Sequence, residues 1–457
     1  MPFPDHIFKA YDIRGVYPRE LNEDLMYRIG RAFVEFMKRD VGKETLTLAV
    51  ARDMRASSLP LLAAVTRGMA EQGADVVDIG LASSPTFYFG VGFYGFDGGL
   101  HVTASHNPGE YNGCKMVRPR AVPISGDTGI MDIRDMVKTG AFPAVDRKGS
   151  VEKKEGALAD HVAYALSTAD ATRIKPLHVV IDTANGMGAP LMDELFKRLP
   201  CQLTRMYWEL DGAFPNHEAN PLKDENNRDL QKKIVEVGAD LGIGFDGDAD
   251  RVFFVDEKGE TIHPAILRGI LARIFLREHP GAKICYDIRP GRITVDMIEE
   301  AGGVPVVTRV GHSFIKEKMR EEGAVFAGES SGHFFLNMPH GAFEAPEIMI
   351  LKFLVELSES GKTASEYVRP LKRYFHSSEL NFTVTNKQAV LDRLREQYGD
   401  HLKYDFDGLS FEWDNWWFNV RVSNTEDVVR LNLEARSEAV MKEKVEEIRS
   451  QILNPKS

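Results

Sequence analysis

Cysteine is scarce in this chain: three residues, Cys114, Cys201 and Cys285, far apart and odd in number. That excludes a disulfide scaffold and a cysteine-type metal knuckle, and points to a reducing compartment, the cytoplasm. No apolar run approaches the roughly 18 residues that span a bilayer, so no membrane partner is expected. The opening MPFPDHIFKAYDIRG has no basic head followed by an apolar stretch, so no secretory signal is expected. No lysine/arginine-rich run interrupts a chain of net charge −11, which leaves nucleic acid without a basic surface to bind. An anionic small molecule remains a candidate, because a few converging arginines override an acidic average. Two catalytic motifs are also missing. SGKT at Ser360 to Thr363 imitates the end of a P-loop, but Glu356 stands where its first glycine belongs. No G-x-S-x-G elbow surrounds Ser105 or Ser313.

What is present is length and repetition. At 457 residues the chain exceeds one core, and roughly three or four domains are expected. A strand–helix plan recurs. LTLAVARD, the helix SSLPLLAAVTRGMAEQGA (opened by serines able to cap it), DVVDIG, the helix SSPTFYFGVGFYGF and GGLHVTASHN form a first copy. LHVVIDTANG, APLMDELFKRL, QLTRMYWEL, DENNRDLQKKIVEVGA and DLGIGFDGDAD form a second. AKICYDIRP, RITVDMIEEAG, VPVVTRVG, HSFIKEKMREEG and AVFAGESSGH form a third. Alternation of this kind implies largely parallel sheets. From about residue 375 the plan changes to a small α+β unit.

The third major strand of each copy ends in a specialised polar loop: TASHNP, FDGDADR and GESSGH. Open α/β sheets bind ligands beyond the carboxyl ends of their strands, so three such ends suit a shared cleft. In DGDAD, Asp246, Asp248 and Asp250 alternate, and an extended segment would turn all three carboxylates to one side. Three like charges need a cation, and hard oxygen donors in a low-count site suggest Mg²⁺. An EF-hand fails at loop position six, where Arg251 replaces the required glycine. An aspartate cage beside a nucleophilic hydroxyl, Ser105, suits phosphoryl transfer better than hydrolysis. The C-terminal RVSNTE offers an arginine, hydroxyls and an amide to phosphate oxygens, although Ser-Asn-Thr is also ordinary turn chemistry.

YDIRG, TASHNP, DGDADR, RVGHSFIK, GESSGH and RVSNTE, in that order, resemble the motifs of the α-D-phosphohexomutase family along nearly the whole chain. The resemblance implies an α/β fold: three similar α/β domains with mostly parallel mixed sheets plus a C-terminal α+β domain, around a central cleft. The expected divisions are 1–148, 149–256, 257–372 and 373–457. It implies a mutase moving phosphate between C1 and C6 of mannose or glucose through phosphorylated Ser105 and a hexose 1,6-bisphosphate, which also serves as activator. Phosphoglucosamine mutase and a non-catalytic sugar-phosphate binder are the alternatives. Ser105, Asp246, Asp248 and Asp250 would hold Mg²⁺. Arg14, His106, Lys115, Arg251 and His312 fall on catalytic positions, with Lys115 ranked ahead of His106 for the hydroxyl proton and His312 opposite. Tyr11, Glu329, Ser331 and His333 would meet the sugar, and Arg421, Ser423, Asn424 and Thr425 the distal phosphate. A monomer or homodimer acting on small hexose phosphates is expected. The chain departs from the family pattern at Asp427, where proline is usual, and at Arg289 and Arg292, where some relatives carry a lysine.

Overall fold

The structure, a computed structural model, describes residues 3–422 and 428–453. The expected phosphate-loop residues Ser423, Asn424 and Thr425, with Asp427, lie outside the described residues. Four sheets follow one another along the chain. The first has six strands in the spatial order Ile13–Val16, Tyr111–Val117, Gly98–Val102, Thr47–Arg52, Asp75–Leu81 and Val151–Lys153. The second has four: Val252–Asp256, Leu241–Phe245, His178–Asp182 and Gln202–Met206. The third has five: Val304–Thr308, Lys283–Asp287, Phe326–Gly328, Phe334–Met338 and Gly341–Glu344. The fourth is an antiparallel sheet of five, flanked by helices Lys387–Tyr398 and Glu438–Leu453. The chain is α/β, with mixed sheets.

The first three sheets share a detail that strand periodicity does not encode. Their centres are parallel, but the strand following each specialised loop runs back antiparallel to the strand before it. Each loop is therefore the tip of a hairpin, held at entry and exit.

Local chemistry explains the elements that matter most. Helix Ser84–Phe93 is capped by Ser83, whose hydroxyl accepts from Thr86 N, and Pro85 sits in its first turn, where no donor is needed. Its residues 84–91 are buried, as an all-round apolar helix requires. Helix Ser58–Glu71 departs from expectation: Ser57 makes no capping bond. Instead Ser58 Oγ donates to Asp53 Oδ1 at 2.5 Å, and Asn112 Nδ2 donates to both Ser57 Oγ and Ser58 Oγ. The serines serve tertiary contacts.

One apolar cluster runs through the first three units, taking in Phe87, Phe245, Phe254 and Phe326. The C-terminal unit packs around its own Phe411, Trp416, Phe418 and Leu433. Trp413 stacks on Trp416 with ring centroids 4.0 Å apart, so these tryptophans pack against one another. Among the described residues no helix is long and apolar enough to cross a membrane.

Candidate active site

Ser105 lies beyond the carboxyl end of strand Gly98–Val102, buried, with φ at 49°. That left-handed conformation is uncommon for serine and turns Oγ across to the second domain. Oγ donates to Asp246 Oδ2 at 2.8 Å and lies 3.2 Å from His106 Nδ1. The backbones meet closely here, since a Cβ on Gly247 would stand 2.4 Å from the Ser105 carbonyl oxygen. Arg14, on strand Ile13–Val16, donates to Ala104 O at 3.1 Å and to Asn107 Oδ1, and pairs with Asp12 at 2.8 Å.

The three aspartates converge, but not through an extended segment. The strand Leu241–Phe245 ends before them, and residues 246–250 form a turn with Ala249 at φ 61°. Asp246 Oδ1 accepts from Asp250 N and Arg251 N, which closes the turn on its own side chain. Ligand atoms of Asp246, Asp248 and Asp250 lie within 4.8 Å of one another. Burial, reinforced by Asp250 and Asp248, pushes the Asp246 carboxyl up to about 8. Asp248 Oδ1 is buried without a hydrogen-bond partner. An orphaned carboxylate oxygen and a strained acidic trio are what a hard divalent cation would relieve, so the residues fit Mg²⁺.

Lys115, on strand Tyr111–Val117, reaches into this trio. Its Nζ donates to Asp248 Oδ2 and to Asp250 Oδ2, each at 2.6 Å. Burial alone would lower the ammonium, but Asp248 and Asp250 outweigh it and hold Lys115 well above the ordinary lysine range. His106 goes the other way: burial, aided by Arg251 and Arg14, pushes it well below 6.5 and keeps it neutral. His312, at the start of helix His312–Glu322, is likewise pushed down by burial and by Lys316.

The third loop completes this wall. Val252 N donates to Gly332 O at 3.0 Å, so the second and third loops share a bridge. His333 pairs with Asp250 at 3.2 Å and Glu329 at 2.9 Å; against the effect of burial, Asp250 raises it to about 9. Ser331 Oγ donates to Glu329 Oε2 at 2.6 Å, and Arg251 Nε lies 3.9 Å from Asp246 Oδ2. Tyr11 packs its ring 5.6 Å from that of His312. Arg421, on strand Trp416–Val422, donates to Glu379 Oε2 at 3.1 Å, away from the aspartates. A cleft of about 1020 Å³ runs from His106 of the first loop past Ser330 of the third to Glu379, the partner of Arg421, with Lys223, Arg289 and Arg430 also in its lining.

Sequence reasoning missed Ser84. Its Oγ donates to Asp248 Oδ2 at 2.6 Å and its N to Asp248 O at 3.0 Å, and it also receives Lys115 Nζ at 3.1 Å. Lying 164 residues from Asp248, it leaves no local signal. Arg289 was named only as a departure; it pairs with Asp287 at 2.6 Å and with Glu329 at 3.4 Å.

Comparison with known proteins agrees in order and extent. Four phosphoglucomutase/phosphomannomutase family models match in succession: alpha/beta/alpha domain I over residues 5–144, domain II over 158–259, domain III over 264–374 and the C-terminal domain over 379–451. A phosphomannomutase of Escherichia coli (strain K12) is 40% identical over 446 residues, covering 95% of this chain and 96% of the relative. Phosphohexose mutases of Xanthomonas campestris pv. campestris (strain B100) are 41% identical over 444 residues, covering 95% and 96%. A solved phosphoglucomutase/phosphomannomutase family protein from Burkholderia thailandensis superposes with TM-score 0.89 at 33% identity, covering 98% of this chain and 97% of that one.

Proposed function

Given that the chain belongs to the phosphoglucomutase/phosphomannomutase family and is a phosphohexomutase, an intramolecular phosphotransferase, we propose that it interconverts hexose 1-phosphates and 6-phosphates of mannose and glucose through phosphorylated Ser105. The observation that carries this reading is the meeting of Ser105 Oγ, Asp246 and the Lys115–Asp248–Asp250 cluster in one buried site.

Ser105 carries the phosphoryl group and passes it to the free hydroxyl of the bound sugar phosphate, giving a hexose 1,6-bisphosphate. The bisphosphate turns over, and its other phosphate returns to Ser105: the bond between that phosphorus and the sugar oxygen breaks as the bond to Oγ forms, and the released sugar oxygen takes up a proton. Neutral His106, 3.2 Å away, is placed to hold the proton that Oγ sheds. Lys115, ranked first for the hydroxyl proton from the sequence, is held as an ammonium by Asp248 and Asp250. With Arg14 and Arg251 it therefore supplies positive charge toward the transferring group, and neutral His312 exchanges the sugar hydroxyl's proton. Mg²⁺ held by Asp246, Asp248, Asp250 and Ser105 would spread the charge developing on the phosphoryl oxygens. Glu329 and Ser331, with His333 beside them, read sugar hydroxyls. Arg421 with Ser423, Asn424 and Thr425 holds the phosphate that is not moving, in either orientation of the ring. A trace of hexose 1,6-bisphosphate keeps Ser105 charged. One chain supplies this whole set, which supports a monomer or homodimer. Three unpaired cysteines support a cytoplasmic location.

The test is kcat/KM on mannose 1-phosphate, glucose 1-phosphate and glucosamine 1-phosphate, each with Mg²⁺ and the matching bisphosphate. Comparable turnover of the first two and little of the third is expected. Preference for glucosamine 1-phosphate would reassign the substrate, and no turnover of any would return the chain to a binding role.

A further inference from the structure

Arg55 has no place in the chemistry above, yet it is among the most committed side chains in the molecule. It is 1% exposed and cannot touch substrate. Its guanidinium spends nearly all its donors on the backbone of the Ser105 loop. Nη2 donates to Ser105 O at 2.9 Å and Asn107 O at 2.6 Å; Nη1 donates to Pro108 O at 2.7 Å and Tyr111 O at 3.0 Å. Nε turns back to Asp53 Oδ2 at 3.2 Å, and the same aspartate accepts Arg55 N and Ser58 Oγ. The fork is thus aimed by its own neighbours before it meets the loop.

The second domain reaches the same group. The Phe214 ring centroid lies 5.0 Å from the guanidinium carbon, and a Cβ on Gly212 would stand 2.5 Å from Arg55 Cα. Ser105 meanwhile holds φ 49°, a conformation that costs a serine energy and persists only where surroundings enforce it. Its carbonyl accepts from Arg55 Nη2 and lies so near Gly247 that a Cβ there would stand 2.4 Å away.

We propose that Arg55 is the positioning residue of the Ser105 loop: by gripping four carbonyls at once it keeps Ser105 Oγ aimed at Asp246, and through Phe214 it ties that aim to the second domain. The proposal rests on Ser105 being the phosphoryl carrier. A planar fork of five donors can serve four carbonyls and a carboxylate; a lysine ammonium has three donors at one point and cannot.

The experiment compares wild type with R55K for kcat, KM, melting temperature and, by intact mass after incubation with glucose 1,6-bisphosphate, phosphate on Ser105. For folded R55K, kcat should fall about 100-fold with KM within about threefold, the signature of a displaced reacting atom. Slower loading of Ser105 should accompany it. A lowered melting temperature with wild-type kcat and loading would overturn the proposal and leave Arg55 as a stabilising anchor. Wild type that never carries phosphate on Ser105 would overturn the phosphoserine reading itself. Should R55K not fold, F214L keeps every Arg55 hydrogen bond and removes only the ring. Its kcat should fall about three- to tenfold, as loss of a desolvated cation–π contact allows, and an unchanged kcat would overturn the proposal.

Discussion

Ser105 Oγ donates a 2.8 Å hydrogen bond to Asp246 Oδ2, and the two residues are 141 positions apart in the chain. The bond joins the first specialised loop to the second. Replacing Ser105 with alanine removes the proposed acceptor for the phosphoryl group while leaving the aspartate turn closed on the Asp250 and Arg251 amides. S105A should lose more than about 1000-fold in kcat, as loss of a nucleophile does, with a melting temperature close to wild type. Mutase assays and a thermal melt on the same preparation check this.

Ser84 holds Asp248 through a 2.6 Å hydrogen bond from its Oγ to Asp248 Oδ2. Partners that orient a ligand cost about 10–100-fold in metal affinity when removed. S84A should weaken Mg²⁺ binding in that range, measured by titration calorimetry, and should shift the Mg²⁺ dependence of kcat by a similar factor. Unchanged Mg²⁺ affinity would separate Ser84 from the proposed metal site.

Gly247 leaves no room for a side chain against Ser105 O. The obstacle is backbone and cannot swing aside, so G247A must move one loop. A drop of about 100-fold in kcat is expected from an ångström-scale displacement. Saturation kinetics and a melt would distinguish this from general unfolding.

Glu434 sits at the contact between the third and C-terminal domains, buried, its Oε2 accepting from Trp417 Nε1 at 2.6 Å and from Arg292 N at 2.9 Å. Burial pushes its carboxyl from 4.5 up to about 7. A raised folded pKa means the contribution is complete below pH 4.5 and is lost as pH rises toward 7. Burial also holds neighbouring His376 down near 4, so it stays neutral across most of that window. At about 1.4 kcal/mol per unit the loss is on the order of 3 kcal/mol. E434Q keeps an acceptor for both donors and never ionises. It should melt with wild type at pH 5 and about 2–4 °C above it at pH 8.

The legible part of this molecule was the part where chemistry forces residue types into a few consecutive positions. Asp246, Asp248 and Asp250, or Ser105 with His106, stand out because they lie within a few positions of one another, and the structure does bring them together. The turn that gathers the aspartates was not legible, since alternation serves an extended strand and this turn equally well; Ala249 in the left-handed region decides it. The antiparallel returns were hidden for a similar reason, because buried strands read alike in both directions. Ser57 and Ser58 read as caps, yet their hydroxyls serve Asp53 and Asn112. Ser84 and Arg55 were invisible because their partners are brought to them by the fold.

The C-terminal domain keeps its oil to itself, whereas the other three share one apolar cluster. Contacts described between it and the third domain include Val310 N to Asp407, Arg292 N to Glu434 and Arg292 to Glu412. Water can stand in for each of those polar partners, and ring contacts such as His263 on His376 complete the seam without joining it to the shared cluster. Prising apart the first three would bare a common interior at roughly 25 cal/mol for every Å² uncovered. The give in the cleft therefore belongs to the wall bearing Arg421, and stiffness to the wall bearing Ser105. The bisphosphate of the proposed mechanism would find its elbow room at the Arg421 wall, not beside Ser105.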